Sequence, residues 1–268
     1  MRLVKYCANG NDFLIYNAFG QALEVDYAKY ARKWCARHSG IGADGFVVLK
    51  PSAKEHIAYE WEFFNADGSV GEMCGNASRC VGSFAYVEGI APRVHTFLSL
   101  AGEIGVEVDC ANPLMVESVL GRYTFSKQVR ESSLWGEEWY LLDTGVPHLV
   151  CLANTQCEIP KPQSSHNAFL RGLREKYNAN ITIACVQNRE DMAYASYERG
   201  VEDITLACGT GAVAAVAAAH RLGLVDSQVR IMPPGGEILE VRIDSKNVLY
   251  LKGFVQRVAV CEVETCNR

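Results

Sequence analysis

The sequence lacks any basic block, and no stripe of basic and aromatic residues runs through it; its formal net charge is −5 at pH 7. Both absences argue against nucleic-acid binding. The most apolar stretch, residues 212–219, is far shorter than the ~20 residues that a membrane span needs. No apolar signal-peptide core precedes the polar residues near the N-terminus. We therefore expect a cytoplasmic protein that engages neither nucleic acid nor membranes.

The eleven cysteines form an odd number and include no Cys-x-x-Cys pair, so none of the common zinc patterns is present. We expect no metal site. In a reducing compartment most of these thiols should be small buried side chains without chemistry. The local sequence singles out only Cys74 and Cys208.

The chain is long enough for one large domain or two small ones, since 49% of its 268 residues are hydrophobic. Short apolar segments bounded by turn residues predict strands, and two patterns predict helices over residues 27–38 and 165–177. The order of elements in the first half recurs loosely in the second. We interpret this recurrence as a weak duplication rather than a tandem repeat.

Two cysteines precede similar helix-like runs. Cys74 lies in Glu-Met-Cys-Gly-Asn and Cys208 in Leu-Ala-Cys-Gly-Thr, and each is followed by small apolar residues up to a glycine, Gly89 or Gly223. Cys208 lies 134 residues after Cys74, and Gly223 lies 134 residues after Gly89. A helix that is apolar on every side is normally buried all round. The pattern predicts two domains, each a sheet curled around one central helix.

The position of the two thiols suggests acid/base chemistry. At a helix N-terminus the unpaired N–H groups and the macrodipole favour the thiolate, and a cysteine pKa can fall to roughly 3.5–7.5. One thiolate and one thiol on opposite sides of a bound carbon would remove a proton from one face and deliver one to the other. Such a pair inverts a stereocentre. The plainer alternative for each motif is a buried structural cysteine before a helix.

Charged and polar residues near these motifs are candidate substrate ligands. Arg199 could bind a carboxylate bidentately and Glu198 an ammonium group, although a solvated pair of charges on a turn explains them too. His148 could tune a neighbouring thiol as a charge partner, or could be a structural histidine. Cys80 could resolve an oxidised Cys74, but a small buried residue is the simpler interpretation. Three asparagines are explained equally well as turn formers: Asn11, Asn65 and Asn180.

Several segments, taken together and in order, resemble the diaminopimelate epimerase family. They are Gly10-Asn11-Asp12-Phe13, Phe64-Asn65-Ala66-Asp67-Gly68-Ser69, Met73-Cys74-Gly75-Asn76 with Arg79-Cys80, Tyr197-Glu198-Arg199-Gly200, and Thr205-Leu206-Ala207-Cys208-Gly209-Thr210-Gly211-Ala212. The resemblance covers most of the chain. Its specificity comes from the two cysteine motifs with Glu-Arg-Gly between them.

The resemblance implies an α+β fold (of α/β type) of two pseudo-duplicated domains, each a mixed sheet curled into a barrel around a central helix. Residues 1–118 with 254–268 would form the domain of Cys74, and residues 119–253 the domain of Cys208. It further implies a homodimer with the site in the cleft between the domains. The implied activity is interconversion of LL- and meso-diaminopimelate without a metal, pyridoxal phosphate or any other cofactor, within lysine and peptidoglycan precursor synthesis.

The resemblance also assigns roles to individual residues. Cys74 and Cys208 would be the acid/base pair, and His148 and Glu198 would modulate the thiols. The helix starts would hold the carboxylate at the reacting carbon through four residues: Gly75, Asn76, Gly209 and Thr210. The other substrate contacts would come from Asn11, Asn65, Asn180, Glu198 and Arg199.

Three positions depart from the pattern of the family. Val146 stands where an asparagine is common before Pro-His, Gly45 where many members have Gln beside an Asp, and Ala77 where Gly is commoner. None is a thiol, so the departures bear on substrate contacts rather than on the reaction type. A two-cysteine racemase of another amino acid, such as proline or glutamate, stays open as an alternative. So does a non-catalytic redox or binding protein that uses Cys74 and Cys80.

Overall fold

A computed structural model describes residues 1–20, 26–153 and 159–264. By internal contacts the chain divides into two compact units, Met1–Ser118 with Gly253–Arg268, and Val119–Lys252. The first unit contains helices α1 (Tyr27–Cys35) and α2 (Gly75–Val87), and the second contains α3 (Asn167–Tyr177) and α4 (Gly209–Arg221).

The strands of the first unit are β1 (Arg2–Ala8), β2 (Asn11–Asn17), β3 (Gly45–Lys50), β4 (Tyr59–Asn65), β5 (Val70–Gly71), β6 (Val94–Ser99), β7 (Gly102–Val108), β8 (Met115–Arg122), which runs past its boundary, and β18 (Gln256–Glu262). Those of the second unit are β9 (Thr124–Arg130), β10 (Glu138–Asp143), β11 (Pro147–Ala153), β12 (Asn180–Val186), β13 (Asp191–Glu198), β14 (Asp203–Ile204), β15 (Gln228–Met232), β16 (Leu239–Ile243) and β17 (Val248–Phe254). The predicted α+β class with two duplicated halves is confirmed.

Each unit packs its strands around one buried helix. In the first, α2 contacts β1, β2 and β7, and its residues 76–85 are all buried. In the second, α4 contacts β10 to β13 and β16, and its residues 211–219 are all buried. The alanine-rich sequence of α4 suits this position, because small side chains let strands approach from several sides.

Both central helices begin and end in the same way. Cys74 and Cys208 are the N-cap residues, with extended backbone, and each carbonyl accepts the first helical N–H. Beyond the last turns, Gly89 and Gly223 take left-handed φ values of 71° and 70°. A left-handed glycine is a common way to end a helix, because it lacks the Cβ that opposes this conformation. The predicted helix starts and their terminal glycines are confirmed.

In each unit the strand order brings three chain positions together at one edge, formed by the ends of neighbouring strands. In the first unit β2 and β3 are parallel and β4 is antiparallel to β3; in the second β11 and β12 are parallel and β13 is antiparallel to β12. The beginnings of the first two strands therefore lie beside the end of the third. This edge carries Asn11, Gly45 and Asn65 in one unit, and His148, Asn180 and Glu198 in the other.

Two predicted helix boundaries were wrong. α1 ends at Cys35 rather than at residue 38, because the N–H groups of Ile41 and Gly42 both turn back to the carbonyl of Trp34. α3 begins at Asn167, two residues later than predicted. No helix among the described residues is long and apolar enough to cross a membrane.

Candidate functional site

The first unit places Cys74 beside Asn11. Cys74 is half-buried, and its S–H donates a hydrogen bond to Asn11 Oδ1 over 3.8 Å. Asn11 opens β2 directly after the tight turn at Asn9 and Gly10, where both residues have positive φ. Asn and Gly are the residues that adopt such a turn most readily. The structure therefore brings one predicted substrate ligand to a predicted catalytic thiol.

Asp44 determines which end of the Asn11 amide faces the thiol. The Nδ2 group of Asn11 donates to Asp44 Oδ2 over 2.7 Å, so the oxygen of the amide is the end directed at Cys74. Asp44 is itself paired with the Arg37 guanidinium at 2.6 Å. Neither Asp44 nor Arg37 was predicted from the sequence as a site residue. The acidic residue directly before a strand of the same edge was the available signal.

A fully buried guanidinium ties the Asn9 turn to the start of α2. Arg79 Nη2 donates to Asn9 Oδ1 and to Asn76 Oδ1, each over 2.7 Å, and its Nη1 donates to the Gly75 carbonyl over 3.1 Å. Buried arginine is rare unless it is paired or hydrogen-bonded. Gly75 and Asn76 are thereby held where the resemblance requires them, at the helix start. Their own N–H groups precede the first helical hydrogen bond, which joins Ser78 N–H to the Cys74 carbonyl.

Asn65 and Gly45 lie opposite each other on neighbouring strands. The Asn65 side chain donates to Ser69 Oγ over 3.0 Å and braces the turn into β5. A Cβ on Gly45 would lie 2.6 Å from the Phe63 ring, too close for any side chain without displacement of that ring. The departure at position 45 therefore accompanies an aromatic side chain packed into the space.

The second unit holds Cys208 in a more enclosed environment. Cys208 is 6% exposed, and its Sγ lies 3.4 Å from Thr210 Oγ1. Burial and the nearby Glu198 carboxylate raise the pKa of the Cys208 thiol. The helix-start argument predicts the opposite direction, so here burial and the neighbouring negative charge outweigh the N–H groups of the helix. The raised pKa favours the neutral form of the Cys208 thiol at pH 7.

Glu198 ends β13 and lies against the same thiol. Its carboxylate accepts hydrogen bonds from Thr205 Oγ1 and from Cys208. Burial raises the pKa of Glu198, and the two hydrogen bonds oppose that shift. A carboxyl group with a raised pKa beside a thiol can exchange a proton with it.

His148 reaches Cys208 through a hydroxyl group. Its Nε2 lies 2.9 Å from Thr210 Oγ1, and its Nδ1 lies 3.0 Å from Thr182 Oγ1, which in turn bonds Ser196 Oγ at 2.9 Å. Burial lowers the pKa of His148 to about 3, so the ring is neutral at pH 7. It therefore does not act as the charge partner considered from the sequence, and any influence on the thiol passes through Thr210.

Arg199 is held by two hydrogen bonds, one to Asn180 at the beginning of β12 and one to Asn178 just before it. The Arg199 main-chain N–H donates to Asn180 Oδ1 over 2.8 Å, and its guanidinium donates to Asn178 Oδ1 over 3.2 Å. Asn180 Nδ2 also lies 3.3 Å from His148 Nε2. The exposed guanidinium is thus held by Asn178, the left-handed C-cap of α3, which the sequence analysis did not single out.

Glycines after Cys208 are required by close packing. A Cβ on Gly211 would lie 2.1 Å from Ser196 Oγ, and one on Gly209 would lie 3.0 Å from Leu251 Cδ2. The start of α4 therefore sits directly on β13 because Gly211 has no side chain, whereas a Cβ on Gly209 would need a shift of the Leu251 side chain of β17. The N–H groups of Gly209 and Thr210 precede the first helical hydrogen bond, as in α2.

The remaining sequence candidates have plainer environments. Cys80 is fully buried, and burial raises the pKa of its thiol well above the usual value, which disfavours a resolving role. Ala77 is fully buried in α2. Val146 forms a turn in which its carbonyl accepts the Thr144 N–H over 3.1 Å.

Solved structures with the same fold include enzymes that act on amino-acid stereocentres. A hydroxyproline epimerase from Agrobacterium vitis matches with a TM-score of 0.69 at 14% identity, covering 97% of this chain and 91% of that one. A phenazine biosynthesis protein from Bacillus anthracis matches with a TM-score of 0.71 at 16% identity, covering 99% of each chain. At this identity the likeness defines the fold, a two-domain architecture shared by several enzyme families.

Sequence comparison narrows the class to one family. The family model described as diaminopimelate epimerase matches residues 3–126 and 140–258. A diaminopimelate epimerase of a Nitratiruptor species is 42% identical over 259 residues, covering 96% of each sequence. One of Helicobacter pylori is 40% identical over 271 residues, covering 97% of this chain and 95% of the relative. The chain belongs to the diaminopimelate epimerase family.

Proposed function

We propose that this protein is an isomerase that interconverts LL-2,6-diaminopimelate and meso-diaminopimelate by two-base proton transfer. The observation that carries the proposal is a Cys-Gly start on the central helix of each unit, at Cys74 and Cys208. The match of nearly the whole chain to relatives named diaminopimelate epimerase supports the substrate.

The environments of the two thiols support an assignment of their resting roles. Cys208 is the proton donor in the resting enzyme, because burial and Glu198 favour its neutral form. Cys74 accordingly removes the proton from the substrate α-carbon, after its own S–H proton, which Asn11 Oδ1 accepts in the free protein, has left. After Cys208 has delivered its proton to the opposite face of that carbon, it is a thiolate beside Glu198. The Glu198 carboxylate, whose pKa is raised, then takes a proton from solvent and passes it to the thiolate.

The substrate's α-carboxylate is the group that the helix starts are suited to bind. The N–H groups of Gly75, Asn76, Gly209 and Thr210 precede the helical hydrogen bonds of α2 and α4. Such N–H groups and the helix dipole favour an anion. A carboxylate held by them also stabilises the negative charge that develops when the α-proton leaves.

The distal end of the substrate carries a second carboxylate and a second ammonium group. Arg199 is suited to the carboxylate because its exposed guanidinium is held by Asn178 rather than by an acidic residue. Asn11, Asn65 and Asn180 contribute amide groups at the strand edges described above. Homodimerisation and a cytoplasmic location stay predictions, to be tested by size-exclusion chromatography and cell fractionation.

Deuterium wash-in at the substrate α-carbon tests the proposal. The wild-type protein in D₂O should epimerise LL-diaminopimelate and incorporate deuterium at the inverted carbon. Cys74→Ala and Cys208→Ala should each lose at least about 10²-fold in epimerisation rate, since each removes one acid/base group. Cys110→Ala, at an exposed cysteine, serves as the matched control and should retain the activity.

Two outcomes would refute this function. Turnover of proline or glutamate without turnover of diaminopimelate would make the protein a racemase of another amino acid. Full activity in either Cys74→Ala or Cys208→Ala would eliminate the two-thiol mechanism.

A further inference from the structure

A single buried hydroxyl group binds both main-chain polar groups of Cys208. Tyr194, on β13, is fully buried. Its hydroxyl donates to the Cys208 carbonyl over 2.9 Å and accepts the Cys208 N–H over 3.1 Å. Neither the helix pattern nor the cysteine motif requires a tyrosine there.

These bonds act on the residue where α4 begins. The Cys208 carbonyl also accepts the Ala212 N–H over 2.9 Å, which is the first helical hydrogen bond. A buried main-chain N–H needs a partner, and the N-cap residue cannot obtain one from its own helix. Tyr194 supplies that partner and at the same time adds a second donor to the carbonyl.

Fixing both main-chain groups also fixes the direction of the Cα–Cβ bond. The sulfur of Cys208 can then move only by rotation about that one bond. Thr210 and Glu198 contact the thiol and restrict the rotation that remains. Proton transfer to a carbon is sensitive to placement, and a displacement of about 1 Å can reduce the rate by about 10²-fold.

We propose that Tyr194 is a positioning residue that holds the Cys208 thiol in line for proton transfer. This inference rests on the proposed function, since it assigns Tyr194 to the proton-donating side of that reaction. The competing explanation is structural: the hydroxyl would satisfy two backbone groups, and its loss would lower stability alone.

The substitution Tyr194→Phe removes one oxygen atom and keeps the ring in the core. The matched control is Tyr140→Phe: Tyr140 belongs to the same buried cluster as Tyr194 and Cys208, but its hydroxyl bonds Glu138 at 3.3 Å. We expect Tyr194→Phe to lower kcat by about 10-fold or more with KM within about twofold of wild type, as for an interaction made in the transition state. Tyr140→Phe should leave both constants unchanged.

A second readout does not depend on turnover. The alkylation rate of Cys208 by iodoacetamide, followed by peptide mass spectrometry, gives its pH profile in each variant. In Tyr194→Phe the freed backbone lets the thiol move from the Glu198 carboxylate, so the midpoint should shift to lower pH. In Tyr140→Phe the midpoint should stay at the wild-type value. Thermal unfolding of both variants reports any loss of stability separately.

The outcomes separate this inference from the function on which it rests. If Tyr194→Phe matches Tyr140→Phe in kcat and in the alkylation profile, Tyr194 is structural and the inference is wrong, whatever the stability change. If wild type fails to turn over diaminopimelate but Tyr194→Phe alters the alkylation profile, the function is wrong and the positioning of the thiol stands. Hydrogen exchange of the Cys208 amide in wild type needs no variant; exchange as fast as in an exposed loop would also overturn the inference.

Discussion

The two central helices have the same length, start and end, but the side chains around their first residues differ. Both contain 13 residues, begin at a Cys-Gly pair and are followed by a left-handed glycine. At the fifth position α2 carries the buried cation Arg79, whereas α4 carries the apolar Val213. The duplicated backbone therefore fixes the position of each thiol, and the surrounding side chains determine its protonation state.

The contrast extends to the partners of each thiol. Cys74 contacts a neutral amide, Asn11, whose orientation is held by Asp44. Cys208 contacts a carboxylate, Glu198, and burial with that charge raises the pKa of the thiol. A helix N-terminus is thus one contribution among several, and an adjacent negative charge in a buried site exceeds it. A two-base enzyme needs such a difference, because its two thiols must begin in opposite protonation states.

Removing the carboxylate should have the largest effect on this contrast. Glu198→Gln takes away the negative charge that, together with burial, raises the pKa of the Cys208 thiol, and it removes the group that we propose assists reprotonation. We expect the epimerisation kcat to fall by about 10²-fold or more. The alkylation midpoint of Cys208 should shift to lower pH, while that of Cys74 should not change.

Glu202→Gln is the matched control for that variant. Glu202 lies on the same turn but pairs with Arg174 at 2.7 Å. It should leave kcat and both alkylation profiles near their wild-type values. If Glu198→Gln gave the same profiles as Glu202→Gln, Glu198 would not account for the difference between the thiols.

The helix starts were predictable from sequence, whereas their electrostatics were not. A cysteine before glycine and a small apolar run marks a helix start locally, so Cys74 and Cys208 could be found without a structure. Asp44, Arg79 and Tyr194 act through contacts with residues 33, 70 and 14 positions away. The sequence left His148 open as a charge partner or a structural histidine, because its sequence neighbours say nothing of its burial. Strand β9 is not predictable from its sequence, because its residues are mostly exposed and show no clear alternation.

The buried cation of the first unit provides the next test of the comparison. Arg79→Met breaks the hydrogen bonds that join the Asn9 turn to Gly75 and Asn76. Hydrogen bonds to a charged group contribute about 1.5–3 kcal/mol each, and some of the freed groups will find water. We expect the free energy of unfolding, measured by urea titration, to fall by about 3 kcal/mol. Val213→Met, at the matching position of α4, measures how much a longer apolar side chain at that helix position changes the free energy of unfolding.

Arg79→Lys separates charge from geometry. Lysine keeps the charge but cannot reproduce the planar fork of the guanidinium, so this variant should lie between wild type and Arg79→Met. Arg93→Met, which removes an exposed ion pair with Glu107, should lower stability far less than Arg79→Met does, because solvent screens an exposed pair. A loss in Arg79→Met no larger than that of Arg93→Met would mean that the buried cation does not hold the helix start.

The smallest expected effect concerns the pH dependence of stability in the second unit. Burial lowers the folded-state pKa of His148 to about 3, below the unfolded value of about 6.5. As pH falls through about 6.5, the unfolded chain gains a proton that the folded chain does not, so the free energy of unfolding decreases. Between about pH 7 and pH 5 this loss amounts to about 2 kcal/mol.

His148→Gln should be less stable than wild type at pH 7, but the difference in free energy of unfolding should narrow by that amount at pH 5. If the difference in free energy of unfolding between His148→Gln and wild type stayed constant, the imidazole would accept a proton in the folded protein. The uncharged series of hydrogen bonds that runs from Ser196 through His148 to Cys208 would then be wrong.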